Sequence, residues 1–206
     1  IKNHLIKKGI AADKLIFERH GIASFFFNQE RISVPPYKFL YSGRTIKSKG
    51  FNTLLNAWLN LDESVDRELW ITGYPVSEDK KILALIKKTS NRKDIIWLGS
   101  LNQREIAKIY LSVNTVIIPS EVYEIGPLVF HEAIASGCSV ISSDIGGCKE
   151  LAEYYHNRST TFKAGNATDL SKKILLQNKK SDVFPSNGVC RFRLFNLSSK
   201  SEIFIV

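Results

Sequence analysis

The sequence predicts an α/β fold built on a doubly wound parallel sheet, and three observations predict it. Short apolar runs without polar alternation recur about every 25 residues, as expected of strands buried on both faces. Amphipathic stretches with a helical period lie between them. At 206 residues, 44% of them apolar, the chain can bury one good core, or one core plus an appendage. Strands alternating with helices pair in parallel through right-handed crossovers, which lay helices on both faces of the sheet.

Residues 1–36 do not read as a domain. "IKNHLIKKGI" suits the end of a helix, "KLIFERHGI" a short strand running into a turn, and "ASFFFNQERISVPP" a linker closed by Pro35-Pro36. Aromatic residues at 25–27 of a linker predict a surface covered by further protein. From Tyr37 the pattern is regular. "KFLYSG", "ELWITG", "DIIWLG", "TVIIPS" and "SVISSD" are the strands. "KGFNTLLNAWLNL", "SEDKKILALIKKT", "NQREIAKIYLS" and "PLVFHEAIASG" are the helices between them. A further strand, "STTFKA", and a helix, "NATDLSKKILLQ", extend the pattern to residue 178. Residues 179–206 show no clear period and are expected to form an irregular tail. The chain starts at Ile1 and contains no Met, as expected of a piece of a longer protein.

The formal net charge is +9, from 29 Lys and Arg against 20 Asp and Glu. That excess suits an anionic ligand without choosing among nucleic acid, an anionic membrane face and a phosphorylated small molecule. The cations are spread as pairs, Lys7-Lys8, Lys87-Lys88, Lys172-Lys173 and Lys179-Lys180, the usual look of solvated helix faces. A nucleic-acid binder would interleave aromatics with a concentrated basic stripe, so no nucleic-acid partner is expected. Cys138, Cys148 and Cys190 lack metal-ligand spacing and are odd in number, which predicts a reducing, cytoplasmic setting. No apolar run approaches the roughly 18 residues of a membrane span. Peripheral contact with an anionic membrane is compatible with the charge.

In open α/β sheets, ligands bind beyond the carboxyl ends of the strands, near helix N-termini. The candidates are therefore Ser42-Gly43-Arg44, Thr72-Gly73, Leu98-Gly99-Ser100, Pro119-Ser120 and Ser143-Asp144. In "SGRTIKSKG", Arg44 and Lys49 flank a turn and Gly50 opens the next helix. Two cations there suit a phosphate or diphosphate, although taken alone they are equally two ordinary surface charges. "EIGPLVFHE" sets Glu124 and Glu132 eight positions apart. Pro127 is expected as the first helical residue, so that the N–H groups of residues 126–129 face an anion. Glu132 then lies about five residues inside the helix, roughly 7.5 Å along its axis. A ligand laid across this end meets an acid, N–H groups, then a second acid. That order suits a hydroxylated head, a negative middle and a second hydroxylated ring, since carboxylates accept bonds from paired sugar hydroxyls. The plainer alternative is a first-turn acid and an exposed helical acid. Against it, Glu132 sits in an apolar segment and needs a partner. His131 is read as structural rather than catalytic. Gly146-Gly147 in "SSDIGGCKEL" is a second candidate diphosphate cradle.

Together these stretches resemble the C-terminal, donor-binding domain of retaining GT-B glycosyltransferases, the large family 4 group. "YSGRTIKSKG", "WLGSL", "IIPSEVYEIGPLVFHEAIASG" and "SVISSDIGGCKEL" occur in the family's order, and the Glu-x7-Glu pair is its specific mark. Ser139 departs from the Pro that many members carry at that strand start. The resemblance implies the end of an acceptor domain and the interdomain linker at 1–36 and a Rossmann-like donor-binding domain at 37–178, whereas the irregular tail at 179–206 departs from the family's usual closing helices. It also implies roles. Arg44 and Lys49, with Gly43 beside them, would hold the donor diphosphate and offset charge on the leaving group. Glu124 would contact the transferred sugar and Glu132 the ribose. Gly126, Pro127, Leu128 and Val129 would meet phosphate or sugar, and Gly99, Ser100 and Leu101 would border the base. Transfer would retain configuration by a same-face route. No cofactor is implied, and since the chain holds no Asp-x-Asp, no metal bridge is expected. The implied partners are a nucleotide sugar, an acceptor (glycan, lipid-linked or small molecule) and the absent N-terminal acceptor domain, without which turnover is not expected.

Two other classes are weighed. A non-catalytic nucleotide-sugar or polyphosphate binding module would use the same residues, and the sequence leaves it open. A dinucleotide-dependent oxidoreductase would carry Gly-x-Gly-x-x-Gly after the first strand, a test that "GRTIKSKG" fails.

Overall fold

The computed structural model describes residues 6–14, 21–27, 31, 34–63 and 66–178. The strand expected in "KLIFERHGI" and the irregular tail at 179–206 fall on residues outside these. Within them, six strands form one sheet: β1 (Tyr37–Tyr41), β2 (Arg67–Ile71), β3 (Ile95–Trp97), β4 (Thr115–Ile118), β5 (Ser139–Ser143) and β6 (Ser159–Phe162). Every pairing is parallel, and the order is β3-β2-β1-β4-β5-β6. The helices are α1 (Phe51–Leu59), α2 (Lys80–Lys88), α3 (Gln103–Ser112), α4 (Leu128–Ala135), α5 (Gly146–Tyr154) and α6 (Ala167–Asn178). The direction of winding reverses between β1 and β4, which makes the carboxyl ends of those two strands the switch point of a doubly wound, Rossmann-like fold.

The strands lack alternation because both of their faces are buried. Phe39 and Tyr41 of β1, Ile117 of β4 and Ile141 of β5 join one core, with Phe51, Leu54 and Trp58 of α1 and Leu170 and Ile174 of α6. Leu40, Val116 and Val140 point the other way, into a second core with Ile106 and Tyr110 of α3, Phe130 and Ile134 of α4 and Leu151 of α5. Each large side chain so buried stabilises the fold by about 1.5–3 kcal/mol. Ser171 of α6 donates to the Ala57 carbonyl of α1 at 2.9 Å, tying the helices of the first face together.

Local chemistry sets the helix starts. Asp79 caps α2 by accepting from the N–H groups of Lys81 at 2.8 Å and Ile82 at 3.4 Å. Asn102 and Glu105 form a reciprocal capping box on α3. Pro127 is not the first helical residue, as its spacing predicts, but the cap before it, with ψ at 122°. With ψ extended there, the preceding loop rests on the start of α5, where the Gly147 N–H donates to the Glu124 carbonyl.

The linker aromatics also differ from expectation. Phe26 is 1% exposed and is covered by this domain itself, its ring meeting Tyr110 edge-on at 5.8 Å. The Arg104 guanidinium lies 5.4 Å from the Phe25 ring. Arg31 donates to the carbonyls of Tyr110, Ser136 and Val113, the last two at or just beyond the ends of α4 and α3. Carbonyls left open at helix ends need such a donor, and a guanidinium can serve several at once.

Candidate functional site

Several of the predicted residues gather at the switch point, and close contacts at Gly50 and Gly147 bring their loops together. Gly50 has φ +67°, and a Cβ on it would lie 1.7 Å from the Pro119 carbonyl oxygen. Only glycine permits that approach of the loop after β1 to the loop after β4. Across the contact, the Ser48 carbonyl accepts from the Glu121 N–H at 2.9 Å and from the Ser120 hydroxyl at 3.2 Å. The 3-10 turn Lys47–Lys49 is thus pinned against β4, and Lys49 Nζ reaches Glu124 Oε2 at 3.0 Å.

Gly146-Gly147 does not form the diphosphate cradle its sequence predicts. The Gly147 N–H is already donated to the Glu124 carbonyl at 2.6 Å, and a Cβ on Gly147 would stand 2.4 Å from the Ile125 carbonyl oxygen. An N–H bonded to the protein is not offered to a phosphate. The pair is instead the seat on which the Glu124 loop rests.

At the end of β1, the Tyr41 phenol donates to the Arg44 carbonyl at 2.6 Å, fixing the turn from which Arg44 extends into solvent. Burial, and secondly the charge of Glu124, push the Tyr41 hydroxyl far above its ordinary pKa, so it stays a donor. Gly43 and Arg44 join Thr72, Gly73, Tyr74 and Val76 around a pocket of about 480 Å³ beside this turn. Gly99 lies further out, at the edge strand, where it exchanges backbone bonds with Gly73 at 2.7 and 3.1 Å. A Cβ on Gly99 would touch the Tyr74 hydroxyl at 3.5 Å and its ring at 3.6 Å. Ser100 is exposed and Leu101 half-buried beyond it. The structure therefore groups Gly43, Arg44, Lys49, Glu124 and the start of α4 around the switch point. It sets Gly99, Ser100 and Leu101 two strands away, with Tyr74 between.

Glu132 is half-buried in α4, and Tyr110 is the partner that its apolar surroundings require. The phenol donates to Glu132 Oε2 at 3.1 Å. Burial raises the Glu132 pKa, and the bond from Tyr110 works the other way. Gly126 and Val129 are half-buried, Pro127 buried and Leu128 exposed at the helix start. His131 is 5% exposed, in keeping with a structural role. Sequence reasoning missed Tyr110 and Tyr41. Tyr110 lies 22 positions from its carboxylate, and no local spacing marks a bond between two helices.

A wider depression, about 600 Å³, opens at the opposite end of the sheet. Glu63, Asp66, Glu68 and Asp94 line it and outnumber Arg67 and Lys93 beside them, and the helices of a parallel sheet turn their negative ends that way. Such a place repels an anion. The carboxyl ends, with Arg44, Lys49 and the start of α4, attract one.

The family description "Glycosyl transferases group 1" matches residues 23–183, which include every residue of this site. The chain belongs to that family. Among curated relatives, an uncharacterised glycosyltransferase of Methanocaldococcus jannaschii is 32% identical over 118 residues, covering 57% of this chain and 30% of the relative. The lipopolysaccharide 1,2-N-acetylglucosaminetransferase of Salmonella typhimurium is 31% identical over 121 residues, covering 54% and 31%. The chain thus spans about a third of the length of the curated relatives it matches. Among solved structures, Anabaena HepE with UDP and glucose superposes with a TM-score of 0.69 at 17% identity, covering 87% of this chain and 51% of that one. The C-terminal domain of a group 1 glycosyl transferase, LpcC of Francisella tularensis, gives 0.55 at 22%, covering 68% and 74%. At these identities the likeness is one of fold: the six-stranded sheet has the Rossmann-like fold of such a C-terminal domain.

Proposed function

We propose that this chain is the donor half of a glycosyltransferase, which binds a nucleotide-diphosphate sugar and transfers its hexosyl-type glycosyl group with retention of configuration. One observation carries the reading: Lys49 and Glu124 lie 3.0 Å apart at the switch point, directly before α4, with Glu132 one turn further in. A diphosphate laid across the start of α4 takes Lys49 and Arg44 as its cations, and the helix N-terminus adds partial positive charge. Lys49 moves from Glu124 to phosphate, which frees the Glu124 carboxylate for the sugar hydroxyls. Glu132 receives the ribose, and the edge loop at Gly99, Ser100 and Leu101 borders the base. Anabaena HepE, solved with UDP-glucose as well as with UDP and glucose, supports this choice of donor.

In the reaction, the bond from the anomeric carbon to the diphosphate breaks first. The sugar gains oxocarbenium character, and Arg44 and Lys49 meet the charge on the departing oxygen. An acceptor hydroxyl attacks from the same face and passes its proton to that oxygen. The two side-chain cations supply the charge that a metal bridge would otherwise supply, so no metal is required on this reading. The acceptor is held by a preceding domain outside this chain. No helix among the described residues is long and apolar enough to cross a membrane. The buried free thiols of Cys138 and Cys148 suit a reducing, cytoplasmic setting, with the basic surface docking at an anionic membrane.

Calorimetry of the chain with UDP, GDP, ADP and their sugar conjugates tests the reading. One nucleotide is expected to bind, and Arg44→Ala and Glu132→Ala are each expected to weaken it about tenfold or more without loss of fold. Binding untouched by both substitutions would place the nucleotide elsewhere.

A further inference from the structure

We propose that Tyr110 is a positioning residue of the donor site, whose buried phenol holds the Glu132 carboxylate aimed at the ribose of a bound nucleotide. The inference rests on the reading of Glu132 as the ribose contact.

Glu132 stands on an otherwise apolar stretch of α4, between buried His131 and buried Ala133 and Ile134. A carboxylate there can swing inward, where it is poorly solvated, or outward, where it is useless to a ligand on the switch point. The phenol removes that freedom by bonding Oε2 at 3.1 Å. No other side-chain bond to Glu132 occurs among the described residues, which leaves Oε1 for a ligand hydroxyl. Tyr110 is itself held on several sides. It is fully buried, Phe26 packs edge-on against its ring, and its carbonyl accepts from Arg31 at 3.2 Å and from the Cys138 thiol at 3.1 Å.

The hydroxyl itself is the telling feature. An apolar slot between Phe26 and α4 would accept Phe equally well, and a buried hydroxyl is unfavourable unless it is bonded. Its bond runs to Glu132, on the helix that starts at the carboxyl end of the sheet. A residue with only a packing role would have no need of it.

Tyr110→Phe keeps the ring and every backbone bond, and circular dichroism and thermal melting check that the fold survives. Two measurements on the 206-residue chain then decide. The first needs no ligand: the Glu132 carboxyl carbon is titrated by NMR, and its midpoint is expected to move upward when the donated bond is lost. An unchanged midpoint would overturn the proposal. The second compares UDP, ADP and GDP, each with its 2′,3′-dideoxy counterpart. The parent chain is expected to prefer the ribose form by about tenfold, and Tyr110→Phe to lose most of that preference while binding the dideoxy form unchanged. Equal weakening of both forms would mean a merely structural role and would also overturn it. If the parent binds a nucleotide and the variant keeps the full ribose preference, this inference alone fails. If the parent binds none of the three, the donor-site reading fails and takes this one with it.

Discussion

At the scale of single residues, two glycines carry different burdens. Gly50 combines a positive φ with a Cβ position 1.7 Å from backbone oxygen, and backbone cannot step aside as a side chain can. Gly50→Ala is expected to cost about 2–3 kcal/mol or more in urea unfolding. A Cβ on Gly43 would meet only the Tyr41 side chain, its hydroxyl at 3.2 Å and its ring from 3.4 Å, so Gly43→Ala is expected to cost under about 1 kcal/mol. Glu132 gives a pH signature. Its pKa is raised above 4.5 by burial, so it becomes protonated at a higher pH than an ordinary glutamate. A protonated carboxyl is a poorer acceptor for ribose hydroxyls. Nucleotide affinity should therefore decline as pH falls, beginning above the ordinary carboxylate range, and Glu132→Gln should flatten that decline in a calorimetric pH series. The two acids and two cations of this site were legible in the sequence from their places beside glycines and a helix start. The bond between Tyr110 and Glu132 was not, because nothing local links the two.

At the scale of elements, the strands and helices follow the apolar periodicity closely, and differences concentrate at ends. Pro127 shows why. Its ring suits either the cap or the first helical position, and the choice lies in ψ, which depends on what the preceding loop packs against. Helix α3 supports the site from outside, since it carries Tyr110 on its buried face. Its capping box closes with the Glu105 carboxylate accepting from the Asn102 N–H at 2.8 Å. Asn102→Ala is expected to lower stability by about 1 kcal/mol, read as a drop in the thermal midpoint.

At the scale of the whole molecule, the linker and the acid response are the informative features. Phe26 precedes the first strand, yet it fills the second core. Phe26→Ala should cost about 3–5 kcal/mol in denaturant unfolding, whereas a linker residue outside the domain would cost almost nothing. Asp94 ties the far end of the sheet together, accepting from both sides of the Arg92 guanidinium at 2.6 and 2.8 Å and from the Trp58 indole at 2.9 Å. Burial pushes the Asp94 carboxyl up, but the bonds from Arg92 and Trp58 and the charge of Arg92 outweigh it and leave the pKa below 3.8. A depressed carboxylate stabilises the fold fully above its unfolded pKa, and that contribution is lost as pH falls through the folded value. Asp94→Asn should therefore shift acid unfolding to higher pH, with the gap between variant and parent closing at the acid extreme.

The sequence by itself determined the fold class, the strand and helix series and the end of the sheet where the candidate residues gather. Those follow from periodicity and from the geometry common to all parallel sheets. Tertiary structure decided which groups meet. It spent the Gly147 N–H on Glu124 rather than on a phosphate, drew Phe26 into the core and gave Glu132 its phenol. Each of these joins residues far apart in the chain, and a contact between distant segments is set by how two elements pack, which no spacing along one of them records.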